Sequence, residues 1–140
     1  MSRPPQLLRS IICDDVRHEV GGKVSLMGVF SNFSVVNFMQ PLPRFHIHAV
    51  IAVDGEGDHR VAIRIASREG DFKLELPGML YAHVRSPLTD LYECTVMLAL
   101  EGFQVPRPGI YDISFVVGDA NTELRGPSFT VTTQKPPTVQ

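Results

Sequence analysis

Hydrophobic and polar residues alternate along several short segments of this chain. In segment 45–53 the odd positions, from Phe45 to Val53, are all apolar. A period of two is the pattern of a β-strand that buries one face. The other segments predicted as strands have the same period or are short, apolar and rich in β-branched or aromatic residues: 7–13, 23–30, 92–101, 111–117 and 128–133. The pattern predicts an all-β protein of about eight or nine strands.

Glycine and proline residues mark turns between these segments, for example at Gly21-Gly22 and Pro77-Gly78. Their spacing leaves little room for helices. It favours an immunoglobulin-like sandwich of two antiparallel sheets, with a small closed β-barrel as the alternative. We expect one sandwich domain over residues 6–133, with flexible termini at 1–5 and 134–140.

The segment that contains Arg60, Arg64 and Arg68 fits either a helix or a strand, because the arginines stand four residues apart. The alternation around them favours a strand. We predict that this strand forms a hairpin with segment 45–53 across the turn at 54–58. In either conformation the three arginines share one face.

Composition excludes several classes of protein. The chain has 140 residues, of which 44% are hydrophobic and 20% charged, with a net charge of −2. These values indicate a folded domain and argue against a protein that coats nucleic acid or a membrane. No apolar run is long enough to span a bilayer, and the first residues lack the apolar core of a secretory signal, so we expect a cytoplasmic protein. Cys13 and Cys94 lie in apolar segments and are predicted to be buried, reduced thiols.

The usual catalytic motifs do not occur. The chain has no Gly-x-Ser-x-Gly elbow, no glycine-rich phosphate loop, no Cys-x-x-Cys and no His-Glu-x-x-His. The leading hypothesis is therefore a non-enzymatic module for protein interaction or assembly, with no cofactor, that self-associates or binds a protein through edge strands. A hydrolase remains a third hypothesis, because catalytic triads are defined by geometry and not by sequence.

A metal or small-ligand site is the second hypothesis. His46 and His48 stand two apart on a predicted strand, so their imidazoles point the same way, and His83 or His59 could complete a zinc-like site. The simpler interpretation is a polar strand surface. The carboxylates of 54–58 alternate as in a calcium loop, but the required glycine and the closing glutamate are missing, which favours a solvated turn.

Two charged surface patches are candidate binding sites. Arg60, Arg64 and Arg68 could bind phosphate or an acidic partner, unless cross-strand carboxylates such as Glu75 or Asp71 neutralise them.

The second patch is acidic. Gly21-Gly22 predicts a hairpin between the first two strands. Asp14, Asp15 and Glu19 are then expected near its open end, exposed to solvent. Further along the chain, Tyr111 follows a Pro-Gly turn and is predicted to bond the backbone at a corner of the sandwich.

Several of these residues also occur together in a known family. The Cys13-Asp14 opening, the Gly22-Lys23 turn, the Gly28-Val29-Phe30 strand end and a later Pro-Gly-x-Tyr that ends at Tyr111 resemble a bacterial family of small uncharacterised proteins. The resemblance spans roughly residues 11–131. It implies a bacterial source and a domain of unknown function, and it transfers no catalytic or binding residue.

Overall fold

A computed structural model describes residues 3–36 and 40–133. These residues form ten strands and no helix, so none of them forms a helix that could cross a membrane. The strands are β1 (Gln6–His18), β2 (Val24–Val29), β3 (Asn32–Val35), β4 (Phe45–Val53), β5 (Gly57–Ser67), β6 (Lys73–Ala82), β7 (Val84–Arg85), β8 (Tyr92–Leu100), β9 (Gly109–Val117) and β10 (Thr122–Thr133).

The strands form two sheets of five. Sheet A has the order β2-β1-β4-β8-β7, and sheet B has the order β3-β10-β9-β5-β6. The pairs are antiparallel except for β3 and β10, which run parallel at the edge of sheet B. The predicted all-β two-sheet sandwich is confirmed, with ten strands in the described residues instead of eight or nine.

The core lies between the two sheets and is built from the apolar positions of the alternating segments. Phe45, Ile47 and Ile51 of β4 face it from sheet A, and Ile65 and Phe115 face it from sheet B, all without solvent exposure. Aromatic rings crowd one end of this core in edge-to-face contacts. The period-two pattern therefore identified the buried faces correctly.

The predicted hairpin between 45–53 and the arginine segment is wrong. β4 lies in sheet A between β1 and β8, whereas β5 lies in sheet B between β6 and β9. Both edges of each strand are therefore occupied by other partners. The short connection carries Gly55 and Gly57 at φ values of 105° and 113°, which are accessible chiefly to glycine, and it crosses from one sheet to the other.

The predicted hairpin of β1 and β2 is confirmed, with Asp15 opposite Met27 and His18 opposite Val24. Asp14 lies near the open end of this hairpin, as predicted, but Glu19 does not. Glu19 lies at the closed end, where its N–H bonds the carbonyl of Lys23. Only Val20 separates Glu19 from the Gly21-Gly22 turn, so Glu19 belongs to the closed end of the hairpin that this turn forms.

The chain near its start is attached to the sandwich. The backbone N–H of Arg3 bonds the Asp54 carboxylate at 2.7 Å, and its guanidinium bonds the carbonyls of Thr89 and Asp90. The prediction of a flexible segment 1–5 did not anticipate these contacts. The other predicted flexible segment, 134–140, lies outside the described residues.

Candidate functional site

Two histidines of the metal-site hypothesis share one strand face, and His83 lies elsewhere. His46 and His48 both point to the outer face of β4, and the Nδ1 of His46 lies 2.9 Å from the carbonyl of Asp14. His48 is buried, its Nδ1 lacks a partner, and burial lowers its pKa. His83 follows β6 and stacks on Tyr81. No three His, Cys, Asp or Glu side chains within residues 3–36 and 40–133 form a group that could hold a metal ion.

Cys13 and His46 are direct cross-strand neighbours on the outer face of sheet A. A thiol beside an imidazole is an arrangement that nucleophilic catalysis uses. Here Cys13 has no solvent exposure, and its burial raises the pKa of the thiol, which opposes formation of the reactive thiolate. Cys94 is also buried and free, and burial raises its pKa as well. The prediction that both thiols are buried is confirmed.

The acidic residues Asp14, Asp15 and Glu19 do not converge on one site. Asp15 forms an ion pair with Arg17 at 3.7 Å. The Asp14 side chain lies over Gly28 of the neighbouring strand, so closely that a Cβ atom at Gly28 would stand 2.8 Å from its Cγ. Asp14 and Gly28, which both belong to the motifs of the family resemblance, are therefore in contact.

Arg60, Arg64 and Arg68 share the outer face of sheet B, as predicted. Each has a carboxylate partner on another element: Asp119 for Arg60, Glu75 at 2.9 Å for Arg64, and Asp112 at 2.8 Å for Arg68. The expected neutralisation by Glu75 is present. Asp71 instead pairs with Arg107, at 2.8 Å.

A shallow trough runs across this outer face of sheet B. It consists of two adjoining depressions of about 600 and 590 Å³ that share Arg64 and Glu123. The first is lined largely by apolar groups, among them Ala62, Pro77 and Val116. The second depression is lined mainly by charged side chains, with small residues at its base. The trough can therefore contact a ligand that has an apolar part and a charged part.

Tyr111 has a structural role at the end of sheet B. Its ring is buried and stacks on Phe129, and its hydroxyl donates a hydrogen bond of 2.6 Å to the carbonyl of Arg107. Burial raises the pKa of the phenol. The predicted bond from this tyrosine to the backbone at a corner is confirmed.

The outer edge of β8 is a feature that the sequence prediction missed. β7 pairs only with Tyr92 and Glu93, and among the described residues no strand pairs with that edge along 94–100. Those seven residues include no charge, glycine or proline. This uncharged run could be seen in the sequence, but the sequence did not show that the outer edge of β8 is left unpaired along it.

The model of a family of unknown function, DUF6941, matches residues 8–127. The chain belongs to the DUF6941 family. The matched region extends from β1 into β10, so the family domain includes both sheets of the sandwich. No curated protein matches the sequence.

Proposed function

We propose that this DUF6941 protein is a non-enzymatic assembly module that self-associates through β8. Residues 94–100 of two copies pair in antiparallel fashion about a twofold axis, so that sheet A continues from one subunit into the other. The single observation that supports this proposal is the unprotected outer edge of β8.

The other edge strands carry features that oppose pairing with another chain. β3 is only four residues long. β2 has six residues and contains Gly28 at a φ of 66°. β6 carries Lys73 and Glu75, and Pro77 removes a backbone donor. The edge of β8 lacks each of these devices, and a long uncharged edge strand presents unpaired N–H and C=O groups to any matching strand.

A second copy of the chain is the partner that fits this edge best. Self-pairing places no like charges opposite one another, because residues 94–100 are uncharged. With Met97 at the centre, Thr95 lies opposite Ala99 of the other subunit, and these three residues are all exposed in the single chain. Pairing along one edge covers less than about 800 Å² per subunit, which predicts a weak dimer.

Sedimentation equilibrium between about 1 and 300 μM tests this proposal, and we expect a monomer–dimer equilibrium in the micromolar range. Met97→Lys places two ammonium groups opposite each other at the twofold axis and is expected to abolish the dimer. Met79→Lys is the matched control, because Met79 is 46% exposed on the protected edge strand β6 and Met97 is 43% exposed. This control is expected to dimerise as the wild type does.

Two outcomes would contradict the proposal. One is a wild-type protein that stays monomeric over the whole concentration range. The other is a Met97→Lys variant that dimerises as strongly as Met79→Lys. Thermal unfolding shows whether each variant is folded. We expect both to fold, because the methionines that they replace are exposed.

A bacterial source and a cytoplasmic location are part of this proposal. Both free cysteines, Cys13 and Cys94, are compatible with a reducing compartment. Detection of the native protein in the soluble cytoplasmic fraction of its host tests the location.

A further inference from the structure

The charged half of the trough on sheet B has more positive groups than its own carboxylates neutralise. Four cationic side chains and two carboxylates line it: Arg64, Arg68, Lys73, Arg125, Asp112 and Glu123. Arg68 is fully engaged, because it forms a two-point contact with Asp112. Glu75 of the adjoining depression pairs with Arg64 at 2.9 Å and with Lys73 at 3.8 Å, so the excess positive charge lies mainly at Arg125.

Arg125 is the least engaged of these residues. Within the described parts of the chain it forms no ion pair and no side-chain hydrogen bond. It lies on β10 directly opposite Ser114 of β9, and Ser114 lies directly opposite Arg64 of β5. Directly opposed residues have Cβ atoms about 4.5–5.5 Å apart. Two arginine side chains thus originate on either side of one small hydroxyl-bearing residue.

Arg64 retains binding capacity despite its two carboxylate neighbours. It contacts Glu75 at 2.9 Å, but Glu123 is 3.9 Å away, beyond hydrogen-bonding distance. Its Nε is buried and lacks an acceptor. Ser114 is also nearly buried, and its hydroxyl forms no hydrogen bond with the rest of the described chain. The hydroxyl of Ser114 and the guanidinium of Arg125 are available to an anion that lies above Ser114, whereas the buried Nε of Arg64 is not.

The adjoining depression supplies a surface for a neutral group. Ala62 of β5 and Val116 of β9 lie opposite each other and form its floor. This pair is two residues along the strands from the pair Arg64 and Ser114, and Pro77 of β6 lies opposite Ala62 on the other side. These short or rigid side chains leave a flat apolar surface. An occupant that carries an anion at one end and a flat apolar group at the other would fill both depressions.

We propose that this trough is a binding site for a small organic phosphate. The phosphate group lies above Ser114 between Arg64 and Arg125, with Lys73 at the rim. Arginine is suited to this role, because its planar guanidinium donates two parallel hydrogen bonds to phosphate oxygens. The organic part of the ligand lies over Ala62 and Val116. This site lies on the outer face of sheet B, whereas β8 belongs to sheet A, so the site is independent of the proposed assembly.

Isothermal titration calorimetry at constant ionic strength tests the proposal with two probes, inorganic phosphate and phenyl phosphate. We expect phenyl phosphate to bind with a dissociation constant below about 1 mM, and inorganic phosphate to bind several-fold more weakly. Arg125→Gln is expected to weaken phenyl phosphate at least tenfold. Lys73→Gln, at the rim, is expected to weaken it by a smaller factor.

Arg17→Gln is the matched control, because it removes the same charge from an exposed side chain of sheet A. It is expected to leave both affinities unchanged. Absence of binding by both probes at about 10 mM would overturn the proposal, as would an equal loss in Arg17→Gln and Arg125→Gln. Equal affinities for the two probes would overturn the assignment of an organic ester.

Discussion

Gly28→Ala is expected to destabilise the domain by about 2 kcal/mol, for two separable reasons. The backbone of Gly28 has a φ of 66°, in the left-handed region that side chains disfavour. An added Cβ would also stand 2.8 Å from Cγ of Asp14 and closer still to its Oδ2. The substitution therefore introduces backbone strain and a steric conflict at the same position of β2.

The two contributions differ in size. A residue other than glycine in the left-handed region costs about 1–2 kcal/mol. The Asp14 side chain is exposed, so it can rotate away, and we expect the steric part to be less than about 1 kcal/mol. Asp14→Ala alone should change stability by less than about 0.5 kcal/mol.

Urea unfolding at submicromolar protein, where the proposed dimer is dissociated, measures these values. With an m-value of about 2 kcal/mol/M, a loss of 2 kcal/mol lowers the midpoint by about 1 M. A double-mutant cycle of Gly28→Ala with Asp14→Ala isolates the steric part. Gly21→Ala is the control for strain alone, because Gly21 has a φ of 87° and no atom within 4 Å of an added Cβ.

The reasoning would be refuted if Gly28→Ala changed stability by less than about 0.5 kcal/mol, the usual range of neutral surface substitutions. A Gly28→Ala variant less stable than Gly21→Ala in the wild-type background, but equal to it when Asp14 is alanine, would confirm both contributions.

Two further predictions concern single side chains of sheet B. Tyr111→Phe removes a buried hydrogen bond and should cost about 1–2 kcal/mol; a melting temperature within about 1 °C of wild type would contradict this. Hydrogen bonds from Arg68 hold the pKa of Asp112 below its usual value, so this carboxylate stabilises the fold at neutral pH and loses that contribution as the pH falls through its folded-state pKa. Asp112→Asn should therefore be less stable than wild type at neutral pH, with the difference narrowing in acid; a difference independent of pH in urea titrations would exclude this linkage.

Local patterns correctly predicted the strands that bury one face. The alternation in 45–53 and 111–117 corresponds to β4 and β9, whose apolar positions face the core. Segment 45–53 held more information than the prediction used. Val50 and Ala52 at its even positions are also buried, which fits a central strand with a partner on each edge.

Strong turn residues misled the prediction at one place. Pro77-Gly78 was predicted to be a turn, yet both residues lie inside β6. A proline is tolerated there because β6 pairs with β5 on one side only, so the missing N–H lies at the edge of the sheet. The distinction between an edge strand and a turn depends on neighbours that are distant in sequence.

The candidate surfaces were only partly predictable for the same reason. The common face of Arg60, Arg64 and Arg68 follows from their even spacing along a strand. Which carboxylates lie opposite them depends on register, and that is set by the pairing of β5 with β6 and β9. The unpaired Arg125 and the free edge of β8 became visible only when the sheet order was known.

The sequence by itself determined the fold class, the buried faces of most strands and the local role of Tyr111. Each of these depends on the chemistry of residues close together in the chain. The tertiary structure decided which strands share a sheet, which edges remain unpaired and which charges meet across the strands. These features arise from contacts between distant segments, because two strands with similar apolar faces can either pair within one sheet or face each other across the core. β4 and β5 lie in different sheets, and the free edge at β8 and the charged trough of sheet B follow from the order of the strands in those sheets.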